Sequence, residues 1–146
     1  MALVYFDASA LVKLLVEEPG SELAGELWDG CDAPVASRLA YPEVCAALAA
    51  AARNHVLTEA EADAARRSWQ EFWAATRPVE LTPVVERQAG ELARTCALRG
   101  ADAVHLASAL AVGDADLVVA VWDRRLREGA RTSGLRLAPA TLDGER

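Results

Sequence analysis

The sequence predicts an α/β fold, a three-layer α/β/α sandwich built on a central parallel sheet. Three observations lead there. Short β-rich runs alternate with stretches of helical spacing along the chain. One run, Leu117 to Val121, is unbroken and apolar, as a strand covered on both faces must be. The chain has 146 residues, is 53% hydrophobic, and contains 6 Pro and 9 Gly, which suits one ordered domain spanning residues 1–146.

Leu3 to Phe6 forms the first strand, and Ala8, Leu11, Val12 and Leu15 then recur at helical spacing. Pro19-Gly20 breaks that helix, and Leu23, Ala24 and Leu27 mark a second one that ends near Gly30. Ala33 to Ala36 is the second strand, followed by an alanine-rich helix from about Pro42 to Arg53, with Pro42 in its first turn. Thr58 and Glu61 have the capping-box spacing, which predicts a helix to about Ala75. Pro78 to Leu81 reads as the third strand. Thr82-Pro83 then supplies an N-cap and a first-turn proline for a helix reaching Leu98 and ended by Gly100. Asp102 opens the next helix, Leu117 to Val121 is the fourth strand, and an Arg-rich helix and a strand near Leu135 to Ala138 complete the chain.

The formal charge of −7 argues against a general nucleic-acid binder. The bases are almost all arginine, however, with Lys13 the single lysine, and arginine grips phosphate with two parallel hydrogen bonds. Cys31, Cys45 and Cys96 are odd in number and widely spaced, so they are expected to be reduced, mostly buried thiols. No apolar stretch approaches the ~18 to 20 residues a membrane span requires. The N-terminal run lacks the basic start of a secretory leader, so a cytoplasmic location is expected.

In parallel sheets the functional crevice lies beyond the carboxyl ends of the strands. Asp7 directly follows the first strand and Asp123 the fourth, while Glu43 and Asp102 lie in opening turns of helices. If the first and fourth strands are neighbours, the Asp7 and Asp123 carboxylates converge and the helix starts can add the other two; without cations such a cluster repels itself. Oxygen-only ligation suits Mg²⁺ or Mn²⁺ better than zinc. Two such ions can orient and acidify a water and stabilise an in-line phosphoryl displacement. Setting these four acids aside leaves the remaining charge nearly balanced.

Together, the segments YFDASALVKLL, YPEVCAAL, ADAVHLASAL and VWDRRL, in this order and spacing, resemble the PIN-domain ribonucleases, especially the VapC-type toxins of bacterial toxin–antitoxin pairs. The resemblance runs from Leu3 to about Pro139. It implies strand order 3-2-1-4-5 and a Mg²⁺- or Mn²⁺-dependent endoribonuclease acting on RNA such as tRNA or rRNA. It also implies a homodimer and a cognate VapB-type antitoxin. Asp7, Glu43, Asp102 and Asp123 match the family's four acidic positions, as catalytic and metal-holding residues, and Ser9 matches the small hydroxyl residue supporting the first acid. Where many relatives carry Thr or Ser two residues before the last acid, this chain has Val121.

Other residues have two readings. Arg124, Arg125 and Arg127 beside Asp123, and Lys13, are candidates for RNA phosphates, against solvated helix charges. Arg38 and Arg99 are weaker candidates of the same kind. His105, three residues after Asp102, is read first as a hydrogen-bonded structural histidine. Trp69, Phe72 and Trp73 are read as core before any docking or stacking surface. A phospho-accepting receiver domain is disfavoured because PVELTP lacks the acceptor acid after the third strand. A haloacid-dehalogenase-like phosphatase is disfavoured because Ser9 stands where its second acid would be. The alternative from another class is a non-catalytic PIN module that binds RNA or a protein partner.

Overall fold

The computed structural model describes residues 2–143; Met1 and residues 144–146 of the expected single domain lie outside the described residues. The elements are β1 (Leu3–Phe6), α1 (Ala8–Val12), α2 (Ser21–Gly30), β2 (Ala33–Ser37), α3 (Ala40–Arg53), α4 (Glu59–Ala75), β3 (Arg77–Val79), α5 (Pro83–Thr95), α6 (Gly100–Ala111), β4 (Val118–Ala120), α7 (Arg124–Thr132) and β5 (Arg136–Ala138). The strands form one sheet in the order β3-β2-β1-β4-β5. All four pairings are parallel.

The two-residue period of a strand explains why both faces are covered. Val4 and Phe6 point to one side, where they join Leu11, Val44, Leu48 and Trp69 in one apolar cluster. Tyr5 points to the other and packs with Leu98, Leu106, Val119, Val121 and Leu126. Each cluster is closed by its own helices, so the central strands must be apolar on both faces. The aromatic residues sort as expected: Trp69 is buried, and Phe72 and Trp73 are half-buried against it and its neighbours.

Several boundaries differ for local reasons. The first helix stops at Val12, because Leu14 and Leu15 donate to carbonyls three residues back and tighten the chain into turns. Gly100 opens α6 instead of ending α5; the break falls earlier, at Ala97, which adopts φ 52. The third strand lies at Arg77–Val79, slightly ahead of the expected run. The capping box of α4 forms as expected, with Thr58 Oγ1 accepting from Glu61 N and Glu61 Oε1 accepting from Thr58 N. The three cysteines are free and half-buried, less sequestered than expected. Among the described residues no helix is long and apolar enough to cross a membrane.

Candidate acidic active site

Because β1 and β4 are adjacent, with Phe6 opposite Ala120, the residues that follow them emerge side by side at the carboxyl edge of the sheet. Asp7 caps α1, its Oδ1 accepting from Ala10 N at 2.9 Å. Asp123 caps α7, its Oδ1 accepting from Leu126 N at 2.9 Å. Glu43 and Asp102 lie in the first turns of α3 and α6. The four acids therefore sit at four helix starts, where exposed N–H groups favour negative charge. All four line a single open pocket of about 420 Å³, with Ser9, Glu18, Arg99 and His105 also on its walls.

The electrostatics show how closely the acids are coupled. Burial raises the Asp7 carboxyl above its usual range, and the charge of Asp102 adds to that rise. Burial also raises Asp102, with the charges of Asp123 and Glu43 pushing in the same direction. Asp102 is thus coupled to each of the others: Asp123 and Glu43 raise it, and it raises Asp7. Ser9 Oγ donates to both Asp7 oxygens at 3.0 Å, and the α1 cap is made by Asp7 itself. Glu43 Oε1 lies 2.6 Å from His105 Nε2.

The donor set is entirely oxygen and strongly anionic, which fits a hard divalent cation. Asp7 and Asp123 each use Oδ1 for the helix cap, and a carboxylate has lone pairs to spare on its second oxygen. Among the described residues no three His, Cys, Asp or Glu side chains are gathered around one point in metal-holding geometry. Uncompensated carboxylates repel one another, and a divalent cation among them would offset that repulsion.

The structure divides the expected RNA-facing cations. Arg124 and Arg125 are exposed beside Asp123. Arg127 is not available to RNA: it is 0% exposed, and its guanidinium donates to Val121 O at 2.9 Å, Pro139 O at 2.8 Å and Ala140 O at 3.3 Å. Arg127 lies four residues after the Asp123 cap, on the face of α7 that buries Leu126 and Ala130. Lys13 is likewise held within the fold, donating to Glu18 Oε1 at 3.1 Å and Pro19 O at 2.8 Å, with its ammonium 5.0 Å from the centre of the Trp122 ring. It anchors the loop that brings Glu18 to the pocket. That loop turns at Gly20, where φ is 95 and an added Cβ would lie 2.9 Å from the Trp122 ring, so only glycine fits. Arg38 pairs with Glu80 away from the acids, whereas Arg99 lines their pocket. Val121 is fully buried, and its carbonyl serves Arg127.

Tyr5 and Glu18 carry no mark in the sequence. Tyr5 reads as one residue of an apolar strand, and Glu18 as one of two loop acids. Only His105 had a signal, its position one helical turn after Asp102.

Comparison with known proteins places these observations in a family. The model of the PIN domain matches residues 4–131. The chain is 73% identical over 143 residues to "Ribonuclease VapC49" of Mycobacterium tuberculosis, covering 98% of this chain and 99% of that protein. Among solved structures, PAE2754 from Pyrobaculum aerophilum superimposes with a TM-score of 0.69 at 22% identity, covering 94% of this chain and 92% of that one. A toxin–antitoxin complex from Klebsiella pneumoniae superimposes with a TM-score of 0.60 at 19% identity, covering 84% and 87%. These last two likenesses are of fold.

Proposed function

This chain belongs to the PIN-domain family, and from that premise we propose that it is an endoribonuclease toxin that hydrolyses RNA phosphodiester bonds with Mg²⁺ or Mn²⁺. A cognate VapB-type antitoxin silences it, and it works in the cytoplasm as a homodimer on a structured RNA such as tRNA or rRNA. The observation that carries this reading is the single pocket lined by Asp7, Glu43, Asp102 and Asp123, in a chain so similar to a protein named as a ribonuclease. A partner antitoxin is supported by the toxin–antitoxin complex that shares this fold.

Asp7, Glu43, Asp102 and Asp123 would hold one or two ions. When bound, a divalent cation supplies positive charge against the phosphate and makes water more acidic. The remaining steps fall to the chain. Arg99 on the pocket wall and exposed Arg124 and Arg125 hold RNA phosphates in register without reading bases. Water attacks the scissile phosphorus, and its proton passes to a carboxylate of the cluster. The phosphorus–O3′ bond breaks and O3′ takes a proton from solvent water, leaving 3′-hydroxyl and 5′-phosphate ends.

The direct test is cleavage of total cellular RNA by purified, antitoxin-free protein with Mg²⁺, Mn²⁺ or EDTA. Discrete products that require the metal are expected. No cleavage by folded protein, across RNA pools that include tRNA and rRNA, would favour the non-catalytic module. Melting offers a check independent of activity, because an ion that binds only the folded cluster stabilises it by mass action. At one hundred times its Kd the gain is about 2.7 kcal/mol, which for a chain of this size is several degrees. A melting temperature that stays flat across millimolar Mn²⁺ would contradict the metal site.

A further inference from the structure

We infer that His105 is a positioning residue which, held by Tyr5, aims the Glu43 carboxylate and fixes α3 against α6. The inference rests on the metal-dependent reading above and goes beyond it by assigning the device that sets one of the four acids.

The hydrogen bonds run in one direction. The backbone N–H of Ser37, at the end of β2, can only donate, and it reaches the Tyr5 hydroxyl oxygen at 3.2 Å. A neutral imidazole whose Nε2 faces a carboxylate oxygen, which can only accept, leaves Nδ1 to accept from the Tyr5 O–H at 2.7 Å. A phenol carries its proton at neutral pH and so is available as the donor. With Nδ1 accepting, the ring proton sits on Nε2 and is donated to Glu43 Oε1 at 2.6 Å. The chain Ser37–Tyr5–His105–Glu43 thus links β2, β1, α6 and α3.

Its location separates this histidine from one that merely fills the core. Tyr5, Ser37 and His105 are all buried, so water does not compete with these bonds, while the Glu43 side chain remains 30% exposed at the pocket. Both ring nitrogens are bound by side chains, and one of those is a pocket acid. Asp102 lies one turn before His105 on the same helix. The same ring therefore fixes the separation between Glu43 and Asp102, two acids on helices from opposite faces of the sheet. Hydrogen bonds of this kind behind a ligand commonly change metal affinity by about 10–100-fold.

The test measures Mn²⁺ affinity by isothermal titration calorimetry well below the melting temperature, alongside kcat and KM on a cleavable RNA. His105→Ala is expected to weaken Mn²⁺ by about 10–100-fold. His105→Gln restores part of the affinity, since its amide can donate to Glu43. Tyr5→Phe, which removes one hydroxyl and leaves the ring, should weaken Mn²⁺ severalfold. In each variant kcat falls while KM for RNA holds. Because His105 acts through Glu43, adding His105→Ala to Glu43→Gln should cost no further affinity, whereas independent effects would add. Two outcomes overturn the proposal: Mn²⁺ affinities within about twofold of wild type in both His105→Ala and Tyr5→Phe, or additive losses in the double variant. If Glu43→Gln matters and the relay variants do not, only this inference fails. If Glu43→Gln itself changes neither affinity nor cleavage, the metal-site reading fails with it.

Discussion

Replacing Asp7 with asparagine is expected to lower RNA cleavage by about 10³-fold, because a lost ligand removes several kcal/mol of transition-state stabilisation. The same change should raise the melting temperature of the metal-free protein. Asparagine caps helices as well as aspartate, so the bond to Ala10 N survives. What it removes is a buried charge beside Asp102. Burial raises the folded-state pKa of Asp7, so its contribution to stability is fully present at pH below the unfolded value of about 3.9 and is lost as pH rises through the folded value. Asparagine stays neutral throughout. The variant's advantage in melting temperature should therefore be greatest near pH 7 to 8 and vanish toward pH 3. Melting scans across that range, beside cleavage assays of matched samples, check both halves. Wild-type cleavage would remove Asp7 from the site, and a lower melting temperature at neutral pH would show that its charge is not a burden on the fold.

Arg127→Ala should destabilise the protein by roughly 3–5 kcal/mol, since losing charge-assisted hydrogen bonds leaves buried carbonyls unsatisfied. For a chain of this length that is a fall in melting temperature of about 10 °C or more. Val121 O, Pro139 O and Ala140 O all depend on this guanidinium, so the segment after β5 should loosen first. Arg127→Lys keeps the charge but lacks the planar fork that reaches several carbonyls, and should recover only part of the loss. Arg124→Ala and Arg125→Ala, on exposed side chains of the same helix, should leave melting nearly unchanged. Thermal unfolding of the four variants separates the clamp from the surface. Equal melting of Arg127→Ala and wild type would refute the clamp.

Much of the fold was legible because local rules and the global arrangement agree. Tyr5 and Phe6 had to face opposite sides of a strand, so an apolar β1 implied cover on both faces. Asp7 and Asp123 were visible because an acid directly after an apolar run marks the carboxyl edge of a parallel sheet. Gly100 was misread because glycine so often follows a helix, whereas here Ala97 takes the positive φ and Gly100 begins α6. The role of Arg127 was hidden because its partners include carbonyls 12 and 13 residues away, which only the returning chain brings near. The bond between His105 and Glu43 joins residues 62 apart in sequence. Helical spacing reveals which face a histidine occupies, but not which distant helix crosses that face.

The placement of the four acids at helix starts also governs how the protein meets a polyanion. The N-terminus of a helix carries about half a positive charge that fades within a turn, so the acids of α3, α6 and α7 are partly neutralised where they stand. Solvent ions extinguish the rest over about 8 Å at physiological salt. An RNA strand drifting past at longer range meets little repulsion from the pocket, despite the net charge of −7. Only at contact does the sign of the cavity matter, and on the proposed reading bound cations reverse it there. Capture of RNA then becomes a local event, gated by divalent-ion occupancy more than by attraction across the whole surface.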